Sequence, residues 1–148
     1  MTLDKAIFAA FALSLAFAAP ARGDGATDSF ARTLVLAEKG DAEAQLKLGV
    51  MYDTGLGAPQ NHAQAVKWYR LAADKGKTEA QFNLGFLYSM GQGVPRNYIE
   101  AHMWLSLAAP RGHAIAAHNR ETLATFMTPA QIDEADKLAS EWKPVAAE

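Results

Sequence analysis

The sequence predicts an all-α fold: a short right-handed α/α solenoid of helix-turn-helix repeats with a C-terminal capping helix. Three observations carry this. The string AQLKLGVMYDTGLGAP at Ala44–Pro59 returns as AQFNLGFLYSMGQGVP at Ala80–Pro95. Laying Gly40–Lys75 over Gly76–Arg111 without a gap leaves 16 of 36 positions identical, far more than chance gives. Each copy also holds a Gly-x-Gly-x-Pro break between two runs with helical patterning. A pair of short helices cannot bury its apolar faces alone, whereas stacked pairs can.

Composition sets the outer bounds. The 148 residues suffice for one domain, and with half of them apolar a packed core is within reach. The net charge of −2 and the absence of any long single-sign run exclude the basic face that nucleic acid requires. No cysteine is present, which excludes disulfides, thiolate metal sites and a cysteine nucleophile.

The first element, residues 1–21, reads as a signal peptide. Lys5 makes a weak positive start, Ala6–Ala21 is uncharged, and Ala19-Pro20-Ala21 offers small residues for cleavage after Ala21. The alternative is an uncleaved membrane anchor, for which the run is slightly short of the roughly 20 residues a span needs. Residues 22–28, RGDGATD, read as a linker, and the Arg-Gly-Asp within it as part of a flexible leader. Residues 29–39 match the end of a unit and form an N-terminal half-repeat helix.

Repeat 1, residues 40–75, opens with Asp41 as a cap and runs helically to about Tyr52. The second helix starts at Asn61 and ends before Gly76. Asn61-x-x-Gln64 has capping-box form, as has Asn97-x-x-Glu100 in repeat 2, residues 76–111. At 100° per residue, Ala44, Leu48, Met51 and Tyr52 share one arc and Leu46 lies opposite, so the first helix is apolar on two sides. The remaining strip holds Glu43 and Lys47, an i,i+4 pair able to attract mutually. Its counterpart holds Glu79 and Asn83, with Val50 and Phe86 at the edges. Gly49 and Gly85 each cost about 1 kcal/mol inside a helix, so their recurrence implies close helix approach. Trp68 and Trp104 read as core anchors under the following unit.

These residues carry a family resemblance. The pattern Ala-x-x-x-Leu-Gly-x-x-Tyr, Gly-x-Gly, Ala-x-x-Trp-Tyr-x-x-Ala-Ala resembles the Sel-one-like repeat, a relative of the tetratricopeptide repeat. It is met twice over Gly40–Arg111, with Leu105 where repeat 1 has Tyr69. The resemblance implies a scaffold or adaptor role, often in envelope or signalling contexts.

Residues 112–148 hold a degenerate repeat and the capping helix. Arg120 and Glu121 replace the Leu and Gly of the pattern. Thr128-Pro129-Ala130-Gln131 then supplies a cap, a first-turn proline and the glutamine of a capping box. Ile132, Ala135, Leu138, Ala139 and Trp142 form the apolar face, with Asp133 and Lys137 paired on the other side.

No catalytic pattern emerges. The Gly-x-Gly segments follow helices, not strands, so they are turns and not phosphate loops. Ser140-x-x-Lys143 has the spacing of the penicillin-binding nucleophile motif, but its partner motifs do not occur. His62, His102, His113 and His118 show no metal-ligand spacing. The expectation is therefore an exported, periplasmic or secreted module that binds another protein or peptide, without catalytic residues, cofactor or metal. The expected contact strip is Glu43, Lys47, Val50, Glu79, Asn83 and Phe86, extended by Ile115 and Asn119. A beta-lactamase-like hydrolase and a structural envelope subunit that self-associates are the alternatives. Membrane contact is expected only in passing, through the signal peptide.

Overall fold

The computed structural model describes residues 25–146. The signal segment and the start of the linker lie outside the described residues. Among the described residues seven α-helices follow in order: α1 Gly25–Glu38, α2 Ala42–Thr54, α3 His62–Asp74, α4 Thr78–Met90, α5 Tyr98–Ala108, α6 Ala114–Ala124 and α7 Pro129–Glu141. Among the described residues there is no strand. The helices pack as α1 on α2, α2 on α3, α3 on α4 and α4 on α5, and α5 then supports both α6 and α7. The result is an all-α solenoid with α2, α4 and α6 as first helices and α1, α3 and α5 as second helices.

The linker was expected to reach residue 28, yet α1 already begins at Gly25. Two forces favour the extra turn. Asp28 places negative charge in the first turn, where the helix dipole favours it. The turn is also backed by Gly57, where an added Cβ would stand 2.5 Å from the Ala26 carbonyl oxygen. The same contact recurs one unit on, with Gly93 against the backbone of His62 at the start of α3. The second glycine of each Gly-x-Gly therefore does more than break a helix: it lets the loop touch the preceding unit.

The caps form, but both boxes expected within the repeats are only half made. Asp41 accepts from the Ala44 amide at 2.7 Å and Asn61 from the Gln64 amide at 3.1 Å. Asn97 accepts from the Ile99 and Glu100 amides. At Asn61 and Asn97 only this forward half of the expected box is made, because their own backbone amides donate to the Tyr52 and Tyr88 carbonyls, and the Glu100 carboxylate accepts from the Trp104 indole at 3.1 Å. The complete box is at Thr128, whose hydroxyl and backbone amide both engage Gln131.

Glu43 does not pair with Lys47. It reaches the next unit and meets Lys77 at 3.0 Å, and Glu79 repeats this with His113 at 3.1 Å. Further ties follow the same period, some within a unit and some between units. The Lys75 ammonium donates to the Gly40 carbonyl, and Arg111 donates to that of Gly76. The buried amides of Gln45 and Gln81 donate to the carbonyls of Ala37 and Ala73, near the end of the preceding second helix. That contact explains why glutamine recurs on an otherwise apolar arc.

Gly49 and Gly85 behave as expected. A Cβ at Gly49 would lie 2.5 Å from the Tyr69 ring, and one at Gly85 would lie 3.0 Å from Leu105 Cγ. Both tryptophans are anchors; Trp68 leans back, whereas Trp104 faces both ways and also meets Trp142 of the following cap at 6.5 Å. Trp68 shares a cluster with Ala37, Ala44 and Leu48, while Trp104 lies under the Arg70 guanidinium, 5.1 Å from the ring centre.

α5 gives way to a 3-10 turn over Ala109–Arg111 because Pro110 cannot continue the helix. α6 and α7 then part, each packing on α5 instead of pairing as α2 does with α3. Ala135 is fully buried, with Ile132, Ala139 and Trp142 against the core, whereas Leu138 stays partly exposed. Lys137 approaches Glu141, not Asp133. Beyond α7 the tail turns back: Trp142 meets Trp104 edge-on, and the Val145 amide donates to the Asp74 carbonyl at 2.7 Å.

His102 is buried on α5 beneath this cap, with Ser106 of its own helix, Asp136 of α7 and Arg120 of α6 around it. Burial holds its imidazole below the ordinary value; Asp136 opposes that and Arg120 adds to it. The unfolded chain thus binds a proton near the ordinary pH 6.5 that the folded chain refuses. Stability is full above that pH and falls as acidity increases below it. Thermal melts from pH 7.5 to 5 are expected to show a shallower decline in His102→Val, which takes the residue found at Val66.

Candidate functional site: two grooves along the first helices

The first helices carry two grooves. The N-terminal groove encloses about 330 Å³ between α1, α2 and the rim of α4, with Leu46, Val50, Met51 and Leu56 as its apolar lining. Ser29 and Thr33 form the α1 side, and Glu43, Lys47 and Glu79 add charge. The C-terminal groove encloses about 270 Å³ between α4, α5 and α6. Phe86, Met90, Tyr98, Leu105, Leu123 and Phe126 give it apolar walls, and Ser89, Asn119 and Thr122 its neutral polar groups.

The expected strip divides between them. Glu43, Lys47, Val50 and Glu79 fall in the first groove, and Phe86 and Asn119 in the second. Asn83 lines neither. It is half-buried beside the Tyr69 hydroxyl, which also donates to Asp53 at 3.4 Å. Burial, followed by the charge of Asp53, pushes that hydroxyl well above the usual tyrosine range, so it stays protonated. Ile115 is exposed and outside both grooves. Sequence reasoning missed Leu46, Leu56, Met90 and Phe126 as surface-forming residues. Helical angles around one axis cannot show which apolar side chains a neighbouring helix leaves uncovered.

Other chemistry-bearing residues are tied up locally. His62 Nδ1 lies 2.8 Å from Asp53, and His113 stacks on Phe82 at 4.1 Å. The Ser140 hydroxyl donates to the Lys137 carbonyl at 2.7 Å, away from both grooves. Among the described residues no group of three or more His, Asp and Glu is placed to hold a metal ion, and no helix is long and apolar enough to cross a membrane.

Comparison with known proteins agrees with this geometry. The Sel1 repeat family matches residues 42–77 and 78–113, the same 36-residue period begun two residues later than the sequence pattern places it. A protective antigen of uropathogenic Escherichia coli displaying an SLR fold is 30% identical, with a TM-score of 0.76 over 78% of this chain and 25% of its own. A Sel1 repeat protein from Oxalobacter formigenes is 33% identical, with a TM-score of 0.60 over 72% of this chain and 44% of its own. The chain thus spans a quarter of the first and under half of the second. None of the curated proteins compared matches it. Sel1 repeats typically serve as non-catalytic modules of protein–protein interaction. Repeat, fold and solved relatives agree: residues 42–113 of this chain are two tandem Sel1 repeats.

Proposed function

We propose that the chain is an exported adaptor that binds another protein or peptide along its first-helix face, by surface complementarity and without turnover. The observation that carries this is where exposed apolar side chains gather. Val50, Leu56, Phe86, Met90 and Phe126 are large, apolar and exposed, and all five line the two grooves. Apolar surface gathered into grooves with a polar rim marks an interaction site. Export to the periplasm or beyond, in an envelope or signalling setting, is supported by Ala6–Ala21 and the small residues before Arg22. Cell fractionation checks it: a shortened product outside the cytosol is expected, and a full-length cytosolic one would refute export.

The contact face is tested by recovery of the bound partner from its native extract. Lys47→Glu with Phe86→Ala is the informative pair, since both side chains are exposed. Asn83 is a poorer choice because its change also disturbs Tyr69. The pair is expected to lower recovery at least about tenfold, in line with loss of a charged rim contact and an aromatic anchor. Melting should be unaltered. Unchanged recovery would move the site elsewhere.

A further inference from the structure

We propose that the N-terminal groove seats an amphipathic α-helix of the partner protein, one with a lysine or arginine six residues before a bulky apolar residue. This rests on the first-helix face being the contact surface and names what fits it. The two grooves are one feature of the repeat seen two units apart. Leu105, Asn119, Thr122 and Leu123 of the C-terminal groove, moved back by two 36-residue periods, fall on Thr33, Lys47, Val50 and Met51 of the N-terminal groove. In the C-terminal groove the facing wall is a helix, α4, which contributes Phe86, Ser89 and Met90. For the N-terminal groove the described residues supply the α1 and α2 sides and the Glu79 rim, with Leu56 exposed in its lining. The shape that completes such a groove is therefore a helix lying beside α2 as α4 lies beside α6.

Two residues specify its chemistry. Within the repeats each first helix turns a glycine to a large side chain on the second helix, Gly49 to Tyr69 and Gly85 to Leu105. On α1 the equivalent residue is Thr33, which is far smaller, so a close-packed partner carries bulk where the repeats carry glycine. Within the repeats each first helix also sends a glutamate to a base just before the next first helix, Glu43 to Lys77 and Glu79 to His113. The equivalent residue before α2 is Asp41, so charge complementarity calls for a cation where the repeats carry glutamate. The separation of Glu43 from Gly49 sets the six-residue spacing.

The probe is a helix-stabilised peptide of the α4 sequence, Thr78–Met90, carrying Glu79→Lys and Gly85→Leu. Its binding is read by fluorescence anisotropy against the full chain and the chain beginning at Arg22. Saturable binding to both is expected, with each single reversion of the peptide about tenfold weaker. Thr33→Trp should abolish binding, and Asp41→Asn, which keeps the α2 cap, should weaken the lysine peptides alone. Equal binding of all peptides, or none, overturns the proposal. So does binding only to the chain from Arg22, which would make the chain's own first residues the occupant. Partner recovery by Lys47→Glu with Phe86→Ala is measured alongside. Lost recovery without peptide discrimination keeps the contact face and rejects the helix, so the two ideas fail separately.

Discussion

Gly93→Ala is expected to destabilise the protein by about 3 kcal/mol, the sum of left-handed backbone strain and overpacking against a neighbour. Gly93 has a φ of +70°, and an added Cβ would stand 2.3 Å from the His62 carbonyl carbon and 2.5 Å from the Ala63 nitrogen. Those atoms are backbone at the start of α3, so no rotamer change relieves the contact. Gly112→Ala is the control. Its φ is +86°, yet nothing lies within 4 Å of its Cβ position, so it carries the strain alone, about 1 kcal/mol. Thermal melts should place Gly93→Ala roughly 10 °C below the wild type and Gly112→Ala only a few degrees below. Equal drops would show that the approach between units contributes nothing.

Trp104→Ala is expected to cost about 4 kcal/mol, typical of a buried aromatic removed from a core. Its side chain is 1% exposed and joins three neighbours at once. The Glu100 carboxylate accepts its indole proton, the Arg70 guanidinium lies over its face, and Trp142 meets it edge-on at 6.5 Å. Trp142→Ala should cost less, because that ring is only half-buried at the cap. A double-mutant cycle should return a coupling of about 1 kcal/mol between the two rings, as for other aromatic pairs. A coupling indistinguishable from zero would mean that the cap docks through Ala135 and Ile132 alone.

The repeat made most of the fold legible. Identities such as Leu48 with Leu84 and Gly49 with Gly85 report the same local environment twice, which a single helix cannot do. Caps at Asp41, Asn61 and Thr128 follow from local hydrogen bonding, so they too were readable. What escaped were contacts over longer separations. Glu43 had a suitable local partner in Lys47, yet it pairs with Lys77, 34 residues on, because stacking brings that ammonium closer. The lean of Trp68 and the second role of Gly57 depend on the neighbouring unit in the same way. For the grooves, the charged edge was readable from helical angles, but Leu56 and Phe126 belong to segments whose placement only the stacking decides.

The returning tail changes how the molecule comes apart. A stack held only by neighbouring contacts frays from its ends, one unit at a time. Here Val145 is bonded to Asp74 and Trp142 lies near Gly76 and Arg111, so the last described residues are fastened at the junction of the two repeats. Peeling α7 from the end requires that fastening to open first, and opening it loosens the middle. Hydrogen exchange should accordingly find α5, α7 and the end of α3 opening in a single step, a cooperative block spanning the second repeat and its cap.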